Sequence, residues 1–149
     1  MTRTLAAQDV DDLAVGAWIL GTGGGGSPYL NPLNMQRLAA DGMQFKLIDP
    51  QELDDQARGA VVSTMGAPLV MQERLQDPRD VARAVQVMAE HTGSTFDAVM
   101  ATEIGGSNAF QPLMASAHLG IPIVDADAMG RAYPAVSYTH LTLPTSDLV

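Results

Sequence analysis

Phe96-Asp97-Ala98-Val99-Met100-Ala101-Thr102-Glu103-Ile104-Gly105-Gly106-Ser107-Asn108 carries the chain from an apolar run through a polar turn towards a helix. Residues 96–101 form a short, mostly apolar run and read as a buried strand. Residues 102–108 carry a carboxylate, paired glycines and an amide. The pattern then becomes helical from Phe110 to Leu119 and closes at Gly120. A strand that passes through a polar turn into a helix is the first half of a βαβ unit. In open α/β sheets, ligands bind at such strand ends.

The alternation continues on both sides. Ile121–Asp125 reads as the next strand, leading into Asp127-Ala128-Met129-Gly130-Arg131. Upstream, Pro78–His91 reads as a helix with Asp77 as its cap and Val81, Ala84, Val85 and Met88 on one face. Ala60–Met65 reads as a strand broken by Gly66-Ala67-Pro68, and Phe45–Ile48 as a strand stopped by Asp49-Pro50. Gln51–Gln56 reads as a polar connection or a short helical turn. A helix opening at Pro28 or Pro32 runs through Leu38 to Asp41-Gly42. Ala6–Leu20 has Val10, Leu13, Ala14, Ala17 and Trp18 at helical spacing, with Asp11 and Asp12 near the positive end of its dipole. The pattern predicts an α/β fold: a mainly parallel sheet with flanking helices.

The chain has 149 residues, enough for one domain with a real core. Its formal net charge of −9 repels phosphate backbones and argues against nucleic acid as a partner. It contains no cysteine, which excludes disulfides, thiol nucleophiles and cysteine-ligated zinc. Met1-Thr2-Arg3-Thr4 lacks the apolar region of a signal peptide, and no apolar run is long enough to span a bilayer. A cytoplasmic location without membrane association is the expectation. Homo-oligomerisation is left open.

Three segments carry candidate chemistry. Gly21-Thr22-Gly23-Gly24-Gly25-Gly26-Ser27-Pro28 contains a G-x-G-x-x-G spacing, but the dinucleotide fingerprint needs a strand before it, and the preceding spacing is helical. No Gly-Lys-Ser/Thr follows, so it is not a Walker A loop. A nest of backbone amides remains, suited to an anion or a developing oxyanion. The other reading is a tight crossing of two helices. At the second segment, Glu103 is a candidate general base or metal ligand and Asn108 a candidate for orienting a carbonyl or carboxylate. Gly105 and Gly106 would let a substrate approach the backbone. Alternatively, Glu103 makes a helix-end interaction and Asn108 caps the helix. At the third, Asp125 and Asp127 could hold a divalent metal or a substrate amine, and Arg131 a carboxylate. The alternative is an Asp–Arg pair that holds the loop. Met65-Gly66-Ala67-Pro68 is a candidate pocket wall. His91 and His118 read as ordinary helix residues.

From Val136 the character changes. Val136–Thr145 shows neither helical spacing nor turn logic and back-translates to a string that resembles read-through of a transposase-type sequencing-library adapter, with Ser146-Asp147-Leu148 as a sample index. The tail 136–149 is therefore expected to be non-native, and His140 is given no role.

Ile19-Leu20-Gly21-Thr22-Gly23-Gly24-Gly25-Gly26-Ser27-Pro28, Met65-Gly66-Ala67-Pro68, Glu103-Ile104-Gly105-Gly106-Ser107-Asn108 and the run from Gly120 to Pro134 together resemble the N-terminal domain of the S-methyl-thiohydantoin desulfurase family. That family is often grouped with hydantoinase/oxoprolinase-like proteins. Ser27 stands where the family often has Asp, and Ala135 where Glu typically follows. The resemblance implies that residues 1–135 are the truncated N-terminal domain of a longer chain. It also implies hydrolytic removal of a sulfur substituent from a hydantoin-type ring. On that reading Glu103 and Asp127 are the expected catalytic carboxylates. Thr22, Gly23, Gly24, Gly25, Gly26, Gly105, Gly106, Asn108, Asp125 and Arg131 are the expected contacts to a small-molecule substrate. No cofactor is fixed by these residues, though a divalent metal is a candidate. The competing expectation is a small-molecule or nucleotide-binding regulatory module without catalysis of its own.

Overall fold

The structure is a computed structural model that describes residues 2–6, 8–66, 68–74 and 77–133. The expected tail, 136–149, lies outside the described residues.

Among the described residues the chain builds a five-stranded sheet. Its strands are β1 (Arg3–Leu5), β2 (Phe45–Ile48), β3 (Gly59–Val62), β4 (Ala98–Ala101) and β5 (Ile123–Asp127), in the spatial order β1-β2-β5-β4-β3. β2, β5, β4 and β3 are parallel, and β1 runs antiparallel to β2 with Arg3 opposite Leu47 and Leu5 opposite Phe45. The helices are α1 (Asp9–Gly21), α2 (Asn31–Ala40), α3 (Pro68–Glu73), α4 (Asp80–Thr92) and α5 (Gln111–Leu119). The α/β architecture with a mainly parallel sheet is therefore as the sequence predicts.

The main core lies between one face of the sheet and the helices. Leu47, Ala60, Val62, Val99 and Ile123 point into it at the two-residue period of a strand. Val10 and Ala17 of α1, Met35 and Leu38 of α2, Val81 and Val85 of α4, and Leu113 and Met114 of α5 meet them. The opposite face carries a smaller cluster of Ile48, Ala98 and Val124 beneath Leu53 and Met100. Each buried strand residue removes apolar surface from water at about 25 cal/mol per Å2, so this alternation fixes which face meets the helices.

Several boundaries differ from the sequence reading. β1 and α3 are additional elements. β3 ends at Val62, not Met65, and β5 runs two residues later than expected, so Asp125 and Asp127 lie within the strand. Trp18 does not join the buried stripe of α1. It is 57% exposed and lies with Val15 and Ile19 on the outer side of that helix. On α4 the buried stripe continues from Val81 and Val85 through Ala82, while Ala84 and Met88 are exposed. Asp77 acts one turn before α4. Its carboxylate accepts from the Arg79 backbone N–H at 2.9 Å and from the Arg79 guanidinium at 2.6 Å. Those hydrogen bonds hold the Asp77 carboxyl well below the usual carboxylate range.

Candidate functional site

The C-terminal ends of β3, β4 and β5 converge with the glycine loop. The ladder carries the chain just past β4: Thr102 N–H donates to Val62 O at 3.2 Å, and Ala128 N–H donates to Thr102 O at 3.2 Å. Glu103 follows at once, so its backbone starts from a position fixed on both sides.

Glu103 is held by Asn108. Asn108 Nδ2 donates to Glu103 Oε1 at 2.8 Å. Asn108 Oδ1 accepts from both Thr64 N–H, at 2.8 Å, and Thr64 Oγ1, at 3.1 Å. Two donors on Oδ1 leave Nδ2 as the only part of the amide that can face the carboxylate. Asn108 is buried with its side chain engaged on both ends, so it orients Glu103 and does not cap α5. Thr64, which sequence reasoning missed, is the anchor of this arrangement. No sequence signal marks it: Thr64 reads as part of the strand Ala60–Met65, whereas it lies two residues past the end of β3.

Asp127 serves the backbone. Its Oδ2 accepts from Ile104 N–H and from Gly130 N–H, each at 2.8 Å. It thereby ties the turn after β4 to the turn after β5. Asp125 is exposed, and no ion pair joins it to Arg131 among the described residues. Arg131 is also exposed and stacks its guanidinium over the Tyr133 ring, 5.1 Å from the centroid. Among the described residues no group of three or more His, Asp or Glu side chains is placed to hold a metal ion.

The glycine loop follows α1 directly, as the helical spacing before it predicts. Thr22 takes a left-handed conformation (φ 47°), and its Oγ1 donates to Ala132 O at 3.2 Å. Ala132 N–H in turn donates to Leu20 O at 3.0 Å. Gly24 N–H closes a turn onto Gly21 O at 2.7 Å, while Gly23, Gly25 and Gly26 all adopt positive φ. The carbonyls of Gly25 and Gly26 accept from Asn108 N–H, at 3.2 Å, and Ser107 N–H, at 3.1 Å. A Cβ on Gly25 would lie 2.2 Å from Gly105 O and 3.2 Å from Glu103 Oε1. The loop therefore passes immediately beside the Glu103 carboxylate. Among the described residues the amides of Gly25 and Gly26 meet no acceptor.

Gly105 and Gly106 have a different part from the one expected. The space beside Gly105 is filled by Leu20 O and Ala132 N, and that beside Gly106 by Gly25 and Gly26. Their missing side chains admit the protein's own backbone, so neither is open to a substrate. Beneath them lies a buried amide–hydroxyl cluster. Asn31 Nδ2 donates to Ser107 O and Oγ at 3.1 and 3.0 Å, and Gln111 Nε2 to the same atoms at 3.2 and 3.1 Å. Asn31 precedes a proline at a helix start and so reads locally as a cap. Only the tertiary fold gives it Ser107 as a partner.

The sequence matches the family described as "S-Me-THD-like, N-terminal domain" over residues 8–148. The chain belongs to this family. Among solved structures it is similar to a Chromobacterium violaceum protein determined by X-ray crystallography in a structural genomics programme. That likeness has 28% identity and a TM-score of 0.69, and covers 89% of this chain and 37% of the other. The S-Me-THD-like domain described here thus spans little more than a third of that relative's length. No curated protein matches. Among the described residues no helix is long and apolar enough to cross a membrane.

Proposed function

We propose that this S-Me-THD-like domain supplies the general base of a hydrolase acting on S-substituted thiohydantoin or hydantoin-type rings. The observation that carries the reading is the Glu103 carboxylate, pinned by Asn108 directly beside the glycine loop. A base must be held within hydrogen-bonding reach of the proton it removes. Glu103 takes a proton from water as the oxygen attacks the ring carbon that bears sulfur. Negative charge developing on the ring is met by the Gly25 and Gly26 amides. The C–S bond then breaks, the thiolate leaves and takes up the proton held by Glu103, the hydroxyl proton passes to the neighbouring ring nitrogen, and the carbon becomes a carbonyl. Arg131 at the rim is suited to a carboxylate on the substrate. Asp127, with Oδ2 committed to two amides, positions Glu103 through Ile104 and is not itself the base.

The test is thiol release from an S-methyl thiohydantoin, followed with a thiol-reactive chromophore. Both the 149-residue chain and a form extended to the length of the C. violaceum relative are assayed. The chain contains no cysteine, so it adds no background of its own. Glu103→Gln should lower turnover by about 10^2- to 10^4-fold with the melting temperature unchanged. Unchanged turnover removes Glu103 from the role. If neither wild-type form releases thiol, yet hydantoins raise the melting temperature, the binding-module reading takes its place.

A further inference from the structure

The outer side of α4 is apolar in its middle and polar at its ends. Asp80, Arg83, Ala84, Val87, Met88 and His91 line one shallow groove along it. Their spacing puts all six on a single helical stripe. The stripe lies opposite Val81, Ala82 and Val85, which face the core. All six are exposed, Val87 and Met88 at 55% each. Ala84, Val87 and Met88 adjoin at helical i, i+3 and i+4 spacing, so they form one apolar patch and not scattered surface residues.

The order of residues along the stripe says what covers it. About the midpoint between Val85 and Gln86, Ala84 mirrors Val87, Arg83 mirrors Met88, and Asp80 mirrors His91. A second α4 laid antiparallel across a two-fold axis at that midpoint brings each residue against its mirror in the other copy. Ala84 then leaves room for Val87. The Arg83 stem covers Met88, as long charged side chains do over apolar surface. The Asp80 carboxylate meets an imidazole N–H of His91. No like charges are opposed.

The sheet edge beside α4 is open as well. α4 packs on β3, and among the described residues no strand lies beyond β3. Arg58 O and Val62 O accept from Asp97 N–H and Thr102 N–H on the β4 side. Alternate residues of a strand turn their backbone groups to opposite edges, so those of Gly59 and Val61 point away from β4. A helix of 13 residues offers a small patch by itself. A stable pair buries about 1,000 Å2 or more in total, and strand pairing at this edge adds to what α4 buries.

We propose that two copies of this chain join through the α4 stripe and the β3 edge, so that one sheet runs through both. The two β3 strands then run in opposite directions, and the two Glu103 sites lie at opposite sides of the joined sheet. The inference is independent of the hydrolase reading.

The experiment is sedimentation equilibrium on the full 149-residue chain and on the extended form. Both should show a monomer–dimer equilibrium at micromolar concentration. Val87→Glu sets a carboxylate at the centre of the patch and should raise the dissociation constant about tenfold or more. Met88 tests the register. Met88→Arg opposes Arg83 of the other copy with a like charge and should weaken the dimer, whereas Met88→Glu offers that guanidinium a partner and should weaken it far less. Arg and Glu are both good helix formers and position 88 is exposed, so circular dichroism of these two variants should match the wild type. The proposal is overturned if either form stays monomeric throughout the micromolar range, if Val87→Glu leaves the dimer unchanged, or if Met88→Arg and Met88→Glu weaken it equally. A monomeric extended form would mean that the remainder of the longer chain covers α4 instead.

Discussion

Replacing Gly25 with alanine probes the backbone crossing that places the glycine loop beside Glu103. Two separate costs can be worked out. Gly25 has φ 73°, a region that an L-residue enters at about 1–2 kcal/mol. The new Cβ would also lie 2.2 Å from Gly105 O and 2.8 Å from Gly105 C. Both atoms are backbone, so no side chain can rotate away. Relief requires the loop to lift from the 105–108 segment, which loses the bonds from Ser107 N–H to Gly26 O and from Asn108 N–H to Gly25 O. Each is worth about 1 kcal/mol net. The sum is about 3–4 kcal/mol, a large part of the roughly 5–15 kcal/mol that holds a typical domain together. Gly23→Ala is the control. Its φ is 89° but nothing lies within 4 Å of the added atom, so only the conformational cost of about 1–2 kcal/mol applies. Gly16→Ala completes the set. It lies within α1 with open space around it and should stabilise by about 0.5–1 kcal/mol. Urea unfolding of all three, followed by circular dichroism and by emission of the single tryptophan, Trp18, gives the differences. Equal destabilisation by Gly25→Ala and Gly23→Ala would refute the crossing.

Asp127→Ala should cost about 2–3 kcal/mol in urea unfolding, because it orphans the Ile104 and Gly130 amides. Asp127→Asn, which keeps one acceptor oxygen, should cost less. Asn31→Ala should destabilise by about 1–2 kcal/mol by removing a buried donor from Ser107, with equilibrium unfolding as the readout. Asp77 gives the pH prediction. The Arg79 guanidinium lowers its folded pKa from the ordinary 3.8, so the pair's stabilisation is present above that value and is lost as pH falls through the lowered one. The melting temperature of the wild type should therefore drop below about pH 4 slightly more steeply than that of Asp77→Asn. The difference is small because both partners are exposed.

Most of the parallel sheet was legible because β2, β3 and β4 are short, mostly apolar runs and β5 opens as one. β1 was not, since Arg3-Thr4-Leu5 is too short for a period to show and exists through pairing with β2. α3 was hidden by the Gly66-Ala67-Pro68 signal, which reads as a break although proline also opens a helix. Trp18 was misplaced because α1 carries apolar residues on both sides, and spacing alone does not say which side meets the sheet. At the site, the residue types were readable and their partners were not. Glu103, Asn108 and Asp127 stood out as polar groups at strand ends. That Asn108 would face Thr64, 44 positions away, follows only from the docking of β3 against β4.

The bond between Thr22 and Ala132 joins positions 110 apart in sequence. A growing chain emits the glycine loop early and must then synthesise nearly the whole domain before that partner exists. Closing so long a span is an entropic cost met late, when the sheet is already ordered. The loop is thus the first part of the site to be made and among the last to be locked. A ribosome-bound chain stalled before residue 132 would carry Glu103 and Asn108 but leave the α1 end of the loop unfastened. Protease cuts within 22–26 that disappear as later residues emerge would time the completion of the site during synthesis.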